Sequence, residues 1–184
     1  SEKILGSAVK KSGEVGATEG KSWSGHKNLN AAQSKAIETI LHSKNLFHLL
    51  FGVTGSGKTE VYLRIIEDAL RNGKGALVLV PEIALTPQLQ NRFEERFPGE
   101  VAVFHSAQKP KELREAWTDA LLGKKRIALG ARSAIFTPVK NLGVIIVDEE
   151  HDSSYKQEDR LRYNARDAAY ELARLTGAKF IIGS

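Results

Sequence analysis

Cysteine and methionine are both absent from the 184-residue sequence. Without cysteine no disulfide and no thiolate zinc site can form within it, and the redox compartment is left open with the cytosol as the default. No apolar run approaches the roughly 20 residues needed to cross a bilayer, and no secretory signal pattern opens the chain. No Asn-Lys-x-Asp sequence, the usual reader of guanine, occurs. Hydrophobic residues at 41% and charged residues at 27% are ordinary for a globular domain. The length suits one domain with a buried core and is too short for two full ones. A formal net charge of +5 permits a polyanionic partner without requiring one. The sequence opens on Ser1 and stops at Gly183-Ser184 directly after an apolar run, which reads as a piece excised from a longer chain.

Against these absences one stretch stands out. Gly52-Val53-Thr54-Gly55-Ser56-Gly57-Lys58-Thr59 matches the phosphate-binding loop G-x-x-x-x-G-K-[ST] at every fixed position. It lies between an apolar run, Leu46 to Phe51, and a helical pattern. Three glycines in eight residues let successive amide N–H groups converge on an anion. The following helix adds the positive end of its dipole. Lys58 at that helix start opposes the dipole by roughly 0.3–1 kcal/mol unless an anion sits there, so its position itself points to phosphate.

Residues 1–27 are rich in Gly, Ser and Lys with no sustained period, and read as a linker, a tag remnant or a disordered arm. Trp23 and His26 within them are given no function. From Asn30 onward Ala32, Ala36, Ile37, Ile40 and Leu41 fall on one helical face, and Asn30 with Gln33 has the form of a capping box. Gln33 has two readings, a capping partner and an adenine reader ahead of the phosphate loop, and both can hold together. A second helix carrying Val61, Leu63, Ile65, Ile66, Ala69 and Leu70 follows the loop and can end at Asn72-Gly73. Ala76 to Val80, Val101 to Phe104, Arg126 to Leu129, Val144 to Val147 and Phe180 to Ile182 read as strands. Helices lie between them, opening at Thr86-Pro87, spanning Lys111 to Leu122 with Trp117 as a core residue, and spanning Asn164 to Thr176. This alternation predicts a three-layer α/β domain with a mainly parallel sheet, whose ligands bind at the C-terminal edge of the strands.

Val144 to Val147 runs straight into Asp148-Glu149-Glu150-His151, so a buried strand delivers consecutive carboxylates to the rim that holds the phosphate loop. A solvated turn could tolerate three adjacent acids. An Asp ending a hydrophobic strand is nevertheless the expected partner of a phosphate loop, holding Mg²⁺ opposite the loop hydroxyl. Thr59 and Asp148 are the candidate metal ligands, Lys58 the phosphate cation, and Glu149 the residue to orient the attacking water. Elsewhere, Arg132 and Ser133 after a strand end suit DNA phosphate contacts, although a surface arginine is more often only solvated. Tyr155, Lys156, Arg162 and Tyr163 interleave aromatics with cations, as stacking on unpaired bases requires. The competing reading is loop tyrosines packing on their own scaffold. His151 could link the acidic stretch to its neighbours, and His105 could be a hydrogen-bonding residue at a strand end. Neither has metal-ligand spacing.

Gly-Lys-Thr together with Asp-Glu-Glu-His is similar to the DExH pattern of superfamily 2 helicases. Further stretches resemble the PriA family of replication-restart helicases in that family's order: Gly52 to Leu63, Val80-Pro-Glu-Ile-Ala-Leu-Thr-Pro-Gln88, Phe104-His-Ser106, Ala131 to Phe136 and Asp148 to Gln157. The resemblance runs from about Leu29 to Ser184. It implies that residues 28–184 are the first of two RecA-like lobes of a P-loop NTPase, with Gly183-Ser184 opening helicase motif III. It further implies ATP and Mg²⁺ as cofactors, 3′-to-5′ movement on single-stranded and forked DNA, and an aromatic-rich loop coupling DNA to hydrolysis. Single-strand binding protein and primosome loading proteins are the implied partners, in a bacterial cytoplasm with no membrane attachment. The zinc region and the second lobe expected of the family are missing from the sequence, so little ATP turnover is expected of this piece alone. The alternatives are the corresponding lobe of another superfamily 2 motor, in fork reversal or excision repair, or a nucleotide-dependent switch module.

Overall fold

Ala76 to Val80 and Val144 to Val147, apolar at every position, suit strands covered on both faces, and the strands built from them lie at the centre of the sheet. A computed structural model of the chain describes residue 23 and residues 26–53, 55–158 and 162–184. In chain order its elements are α1 (Ala31–His42), β1 (Phe47–Leu50), α2 (Lys58–Arg71), β2 (Gly75–Leu79), α3 (Pro87–Arg96), β3 (Val101–Phe104), α4 (Pro110–Leu122), β4 (Ile127–Gly130), β5 (Leu142–Val147), β6 (Lys156–Gln157), β7 (Tyr163–Asn164), α5 (Ala165–Thr176) and β8 (Lys179–Gly183). Six strands form one sheet in the order β1-β8-β5-β2-β4-β3, with every pair parallel. β6 and β7 form a separate antiparallel ribbon.

Side-chain alternation divides the core into two layers. Val78 and Ile146 face a cluster built with Ile37, Leu63, Ile66 and Phe93, which belongs to α1, α2 and α3. Their neighbours Leu77, Leu79, Ile145 and Val147 face the other side, where Ala165, Ala169 and Ala173 present the small face of α5. Alanines four residues apart let that helix lie close to the sheet. Each fully buried Leu, Ile or Phe contributes about 1.5–3 kcal/mol.

The helix starts follow the local chemistry. Asn30 and Gln33 form both halves of the capping box. Thr86 accepts the Leu89 amide at 3.3 Å, with Pro87 in the first turn of α3. One expectation fails in α4. Trp117 is 42% exposed, and Ala120 is the buried residue of that helix among those described. Apolar spacing finds a helix face about 100° wide, and here the edge of that face carrying Ala116 and Ala120 meets the sheet. Leu113, Trp117 and Leu121 are rotated away from it.

The packed region also starts earlier than residue 28. The Trp23 ring is buried edge-on to Phe97 at 5.6 Å between centroids. His26 lies 3.0 Å from the Glu67 carboxylate. Both contacts are long-range, so the period-free composition around them gave no sign of either.

Candidate functional site

Parallel strands place all their C-terminal ends on one edge. There the loop after β1, Asp148 after β5 and Ser184 after β8 come together. The Gly52 amide donates to the Ser184 carbonyl at 2.9 Å and the Ser184 amide to the Leu50 carbonyl at 3.2 Å, so the loop springs from a closed strand end. Gly55 and Gly57 have φ of +82° and +84°, the left-handed region that glycine enters without strain. A Cβ at Gly57 would lie 2.3 Å from Gln33 Nε2 and displace the end of that side chain. Thr54 lies outside the described residues. Val53 is exposed, and its carbonyl accepts the Ser56 amide at 3.0 Å.

Gln33 carries out two tasks with one amide. Its Oε1 accepts the Asn30 amide at 3.0 Å, and its Nε2 donates to the Ser56 carbonyl at 3.0 Å. The capping reading is therefore realised, and the same side chain braces the phosphate loop from outside.

Lys58 opens α2 with its ammonium almost enclosed. Nζ donates to the Gly52 carbonyl at 2.6 Å and the Ser184 carbonyl at 3.2 Å, and lies 3.3 Å from Glu149 Oε1. The charge that opposes the helix dipole is thus met by two carbonyls and a carboxylate at the strand edge. Thr59, Asp148, Glu149 and Gln33 line the same cavity of about 640 Å³ with Gly55, Ser56, Gly57 and Lys58. That volume is in the range of small-molecule sites.

Three consecutive acids are tolerated because each goes to a different cation or donor. Asp148 Oδ1 accepts the Tyr62 hydroxyl at 2.7 Å. Glu149 pairs with Lys58, and Glu150 Oε2 meets Arg166 Nη1 at 3.1 Å. Glu149 adopts φ of +46°, an uncommon left-handed conformation for a residue with a side chain, costing of order 1 kcal/mol. That turn separates the Glu149 and Glu150 side chains. Burial pushes the Asp148 carboxyl above its usual range and Glu149 adds to the rise, although the Tyr62 hydrogen bond and Lys58 pull the other way. A desolvated carboxylate beside a hydroxyl and a phosphate loop is suited to a divalent cation. Among the described residues no group of three or more His, Cys, Asp or Glu could enclose a metal by itself. Thr59 and Asp148, one hydroxyl and one carboxylate in the same cavity, are donors of the kind Mg²⁺ takes, since it uses one or two protein ligands and completes its shell with phosphate and water.

The residues expected to contact DNA divide. Tyr155 is 1% exposed, and its hydroxyl bonds the Asp148 carbonyl at 2.6 Å and the Leu79 carbonyl at 3.1 Å. Its ring is closed to a base, which corrects the stacking role expected for it. Arg132 is also engaged: Nη1 donates to the Ser154 carbonyl at 3.1 Å and to the Lys156 carbonyl. It therefore holds the loop that carries Tyr155 instead of extending as a free phosphate contact. Tyr163 is half-buried, edge-on to Phe136 at 5.1 Å. Ser133, His151, Lys156 and Arg162 are exposed, and His151 stands 3.8 Å from Glu149.

Sequence patterning missed Tyr62 because it lies among the apolar residues of α2 and is buried as they are. Its position three residues after Thr59 is the one signal that could have drawn attention to it. It also missed Lys27, Asn28 and Arg92 on the cavity wall, which no local pattern marks, and Thr86, which patterning marked only as a helix cap.

Residues 30–179 match the family model described as DEAD/DEAH box helicase. The chain is 52% identical over 158 residues to the replication restart protein PriA of Synechocystis sp., aligning 85% of this chain with 19% of that protein. With the PriA proteins of Bacillus subtilis and Haemophilus influenzae the identities are 50% and 51%, over 84% and 85% of this chain. The chain spans about a fifth of the length of these relatives: 19% and 22% for the latter two. Among solved structures, RecG bound to a three-way DNA junction superposes with a TM-score of 0.66 at 26% identity, covering 86% of this chain and 21% of that one. The UvsW helicase of bacteriophage T4 superposes at 0.62 with 16% identity, over 91% of this chain and 57% of that one, which shows a shared fold alone.

Proposed function

The chain belongs to the DEAD/DEAH box helicase family, and from that premise we propose that it is the ATP-binding lobe of a DNA motor that acts in replication restart. One observation carries the reading: the phosphate loop, Lys58, Thr59, Asp148 and Glu149 share a single cavity at the C-terminal edge of a parallel sheet. In this reading the loop amides and Lys58 hold the β- and γ-phosphates of ATP. Thr59 and Asp148 hold Mg²⁺, whose charge neutralises the terminal phosphates. Gln33 keeps the loop in shape through Ser56. Glu149, released from Lys58 as that ammonium turns to phosphate, orients the attacking water.

The substrate is single-stranded and forked DNA traversed 3′ to 5′, with Ser133, Lys156, Arg162 and Tyr163 on the DNA side and Arg132, His151 and Tyr155 coupling that side to the acids. Single-strand binding protein and primosome loading proteins are the proposed partners, in the bacterial cytoplasm, with a zinc region elsewhere in the parent. Among the described residues no helix is long and apolar enough to cross a membrane. Identity of about half to replication restart proteins against 26% to RecG supports replication restart over another superfamily 2 motor. The chain spans about a fifth of its PriA relatives, and in this reading a second lobe in the parent completes the site, so the 184 residues alone should bind Mg-nucleotide and hydrolyse little.

The test is Glu149→Gln in the full-length parent. ATP should still bind, and hydrolysis stimulated by single-stranded DNA should fall by a factor of 10² or more, the scale of losing a group that acts in the transition state. Hydrolysis at the normal rate would refute the assignment.

A further inference from the structure

We propose that Tyr62 is a positioning residue of the metal site, fixing the orientation of the Asp148 carboxylate in the cavity it shares with Thr59, in a space that only glycine at 183 leaves open. The proposal rests on the nucleotide-binding reading above. Tyr62 is 2% exposed and donates to Asp148 Oδ1 at 2.7 Å. It stands three residues after Thr59 on α2, so the two side chains leave the same side of one helix. The element that presents the hydroxyl ligand thereby also sets the orientation of the carboxylate ligand on another strand.

The phenol occupies ground that β8 must concede. A Cβ at Gly183 would lie 1.9 Å from Tyr62 Oη and 2.6 Å from Asp148 Oδ1. Any side chain there would push the phenol off the carboxylate. The Gly183 carbonyl accepts the Glu150 amide at 3.0 Å, so the backbone at this point cannot withdraw without disturbing the acidic turn. From the opposite side the Tyr155 hydroxyl holds the Asp148 carbonyl at 2.6 Å. Main chain and carboxylate of Asp148 are therefore fixed by two separate phenols, and of these only Tyr62 governs where the carboxylate points. Without that bond the carboxylate keeps only the weaker hold of the Glu149 amide and the Lys58 charge, so rotation about χ2, which is broad and roughly two-fold, is less restricted.

The test follows binding of a fluorescent ADP analogue to the 184-residue chain, first in EDTA and then across a Mg²⁺ series, for the wild type and Tyr62→Phe. Phenylalanine keeps the buried ring and removes only the donor. The expected result is equal affinity in EDTA and a Mg²⁺ midpoint raised about tenfold, the scale of one hydrogen bond to a charged group. Gly183→Ala, which crowds the same hydroxyl, should raise the midpoint in the same direction. An unchanged midpoint in Tyr62→Phe would overturn the proposal. So would an equal loss of affinity with and without Mg²⁺, which is the signature of a packing role. A wild-type chain that bound no nucleotide in either condition would instead overturn the nucleotide-binding reading, and this inference with it.

Discussion

Replacing Glu67 by leucine should destabilise the chain more than any exposed charge change, because Glu67 is the only hydrogen-bonded counter-ion of a buried cation among the described residues. Arg96 is 2% exposed and donates from Nη2 to Glu67 at 2.8 Å. Its Nε and Nη1 are buried with no hydrogen-bond partner among the described residues. Its other acidic neighbour, Glu60, stands 3.7 Å away and is shared with Arg64 and Arg92. Removing one member of a buried pair costs about 3–5 kcal/mol. Glu60 returns a little of that, while Arg71 and His26 on Glu67 are exposed enough to add little.

A loss of about 3 kcal/mol lowers the melting temperature of a chain this size by about 6–12 °C. Glu67→Leu with Arg96→Met should recover most of it, since neither charge then remains buried. Burial pushes the Glu67 carboxyl up, but His26, Arg96 and Arg71 outweigh it and hold the group below its ordinary value of 4.5. A depressed carboxyl stabilises fully above its unfolded value and loses that contribution as pH falls through its folded value. The gap between wild type and Glu67→Leu should therefore shrink as pH falls below about 5. Urea melts at pH 7 and pH 4 give both readings. A single substitution costing under about 1 kcal/mol, or a double no better than the single, would refute the reasoning.

The remaining predictions concern the strand edge. Gln33→Ala removes a capping-box partner and the brace on Ser56, so the chain should lose about 1 kcal/mol of stability. ATP and GTP affinities should fall by the same factor, and a fall confined to ATP in a titration of both would show that the amide reads the base. Arg132→Ala frees the Ser154 and Lys156 carbonyls, so trypsin should cut after Lys156 several-fold faster with little change in melting temperature. Equal cutting rates would mean that the arginine does not hold that loop.

The strands and helices were legible in the sequence because they rest on period and punctuation. Val144 to Val147 had to be a two-sided strand, and Thr86-Pro87 had to start a helix. That the glycine-rich loop and Asp148 would meet at one sheet edge was equally plain, since both are marked by local patterns. What was not legible depends on contacts distant in sequence. Tyr155 looks like a stacking residue in its own neighbourhood and becomes a buried strut only when β2 and β5 bring the Leu79 and Asp148 carbonyls beneath it. Trp117 has helical core spacing, yet the rotation of α4 is set by Ala116 and Ala120 against β3. Trp23 and His26 sit in composition that resembles a linker, and their partners Phe97 and Glu67 lie far along the chain.

The central claim, that Lys58 and the amides before it form a binding site for nucleotide phosphates, is tested most directly by calorimetric titration of Mg-ATP into wild type and Lys58→Ala, with circular dichroism confirming that both are folded. The wild type should bind one equivalent, and the variant should bind at least about a hundredfold more weakly, as expected for losing a desolvated charge contact. Equal affinity in the two proteins would contradict it.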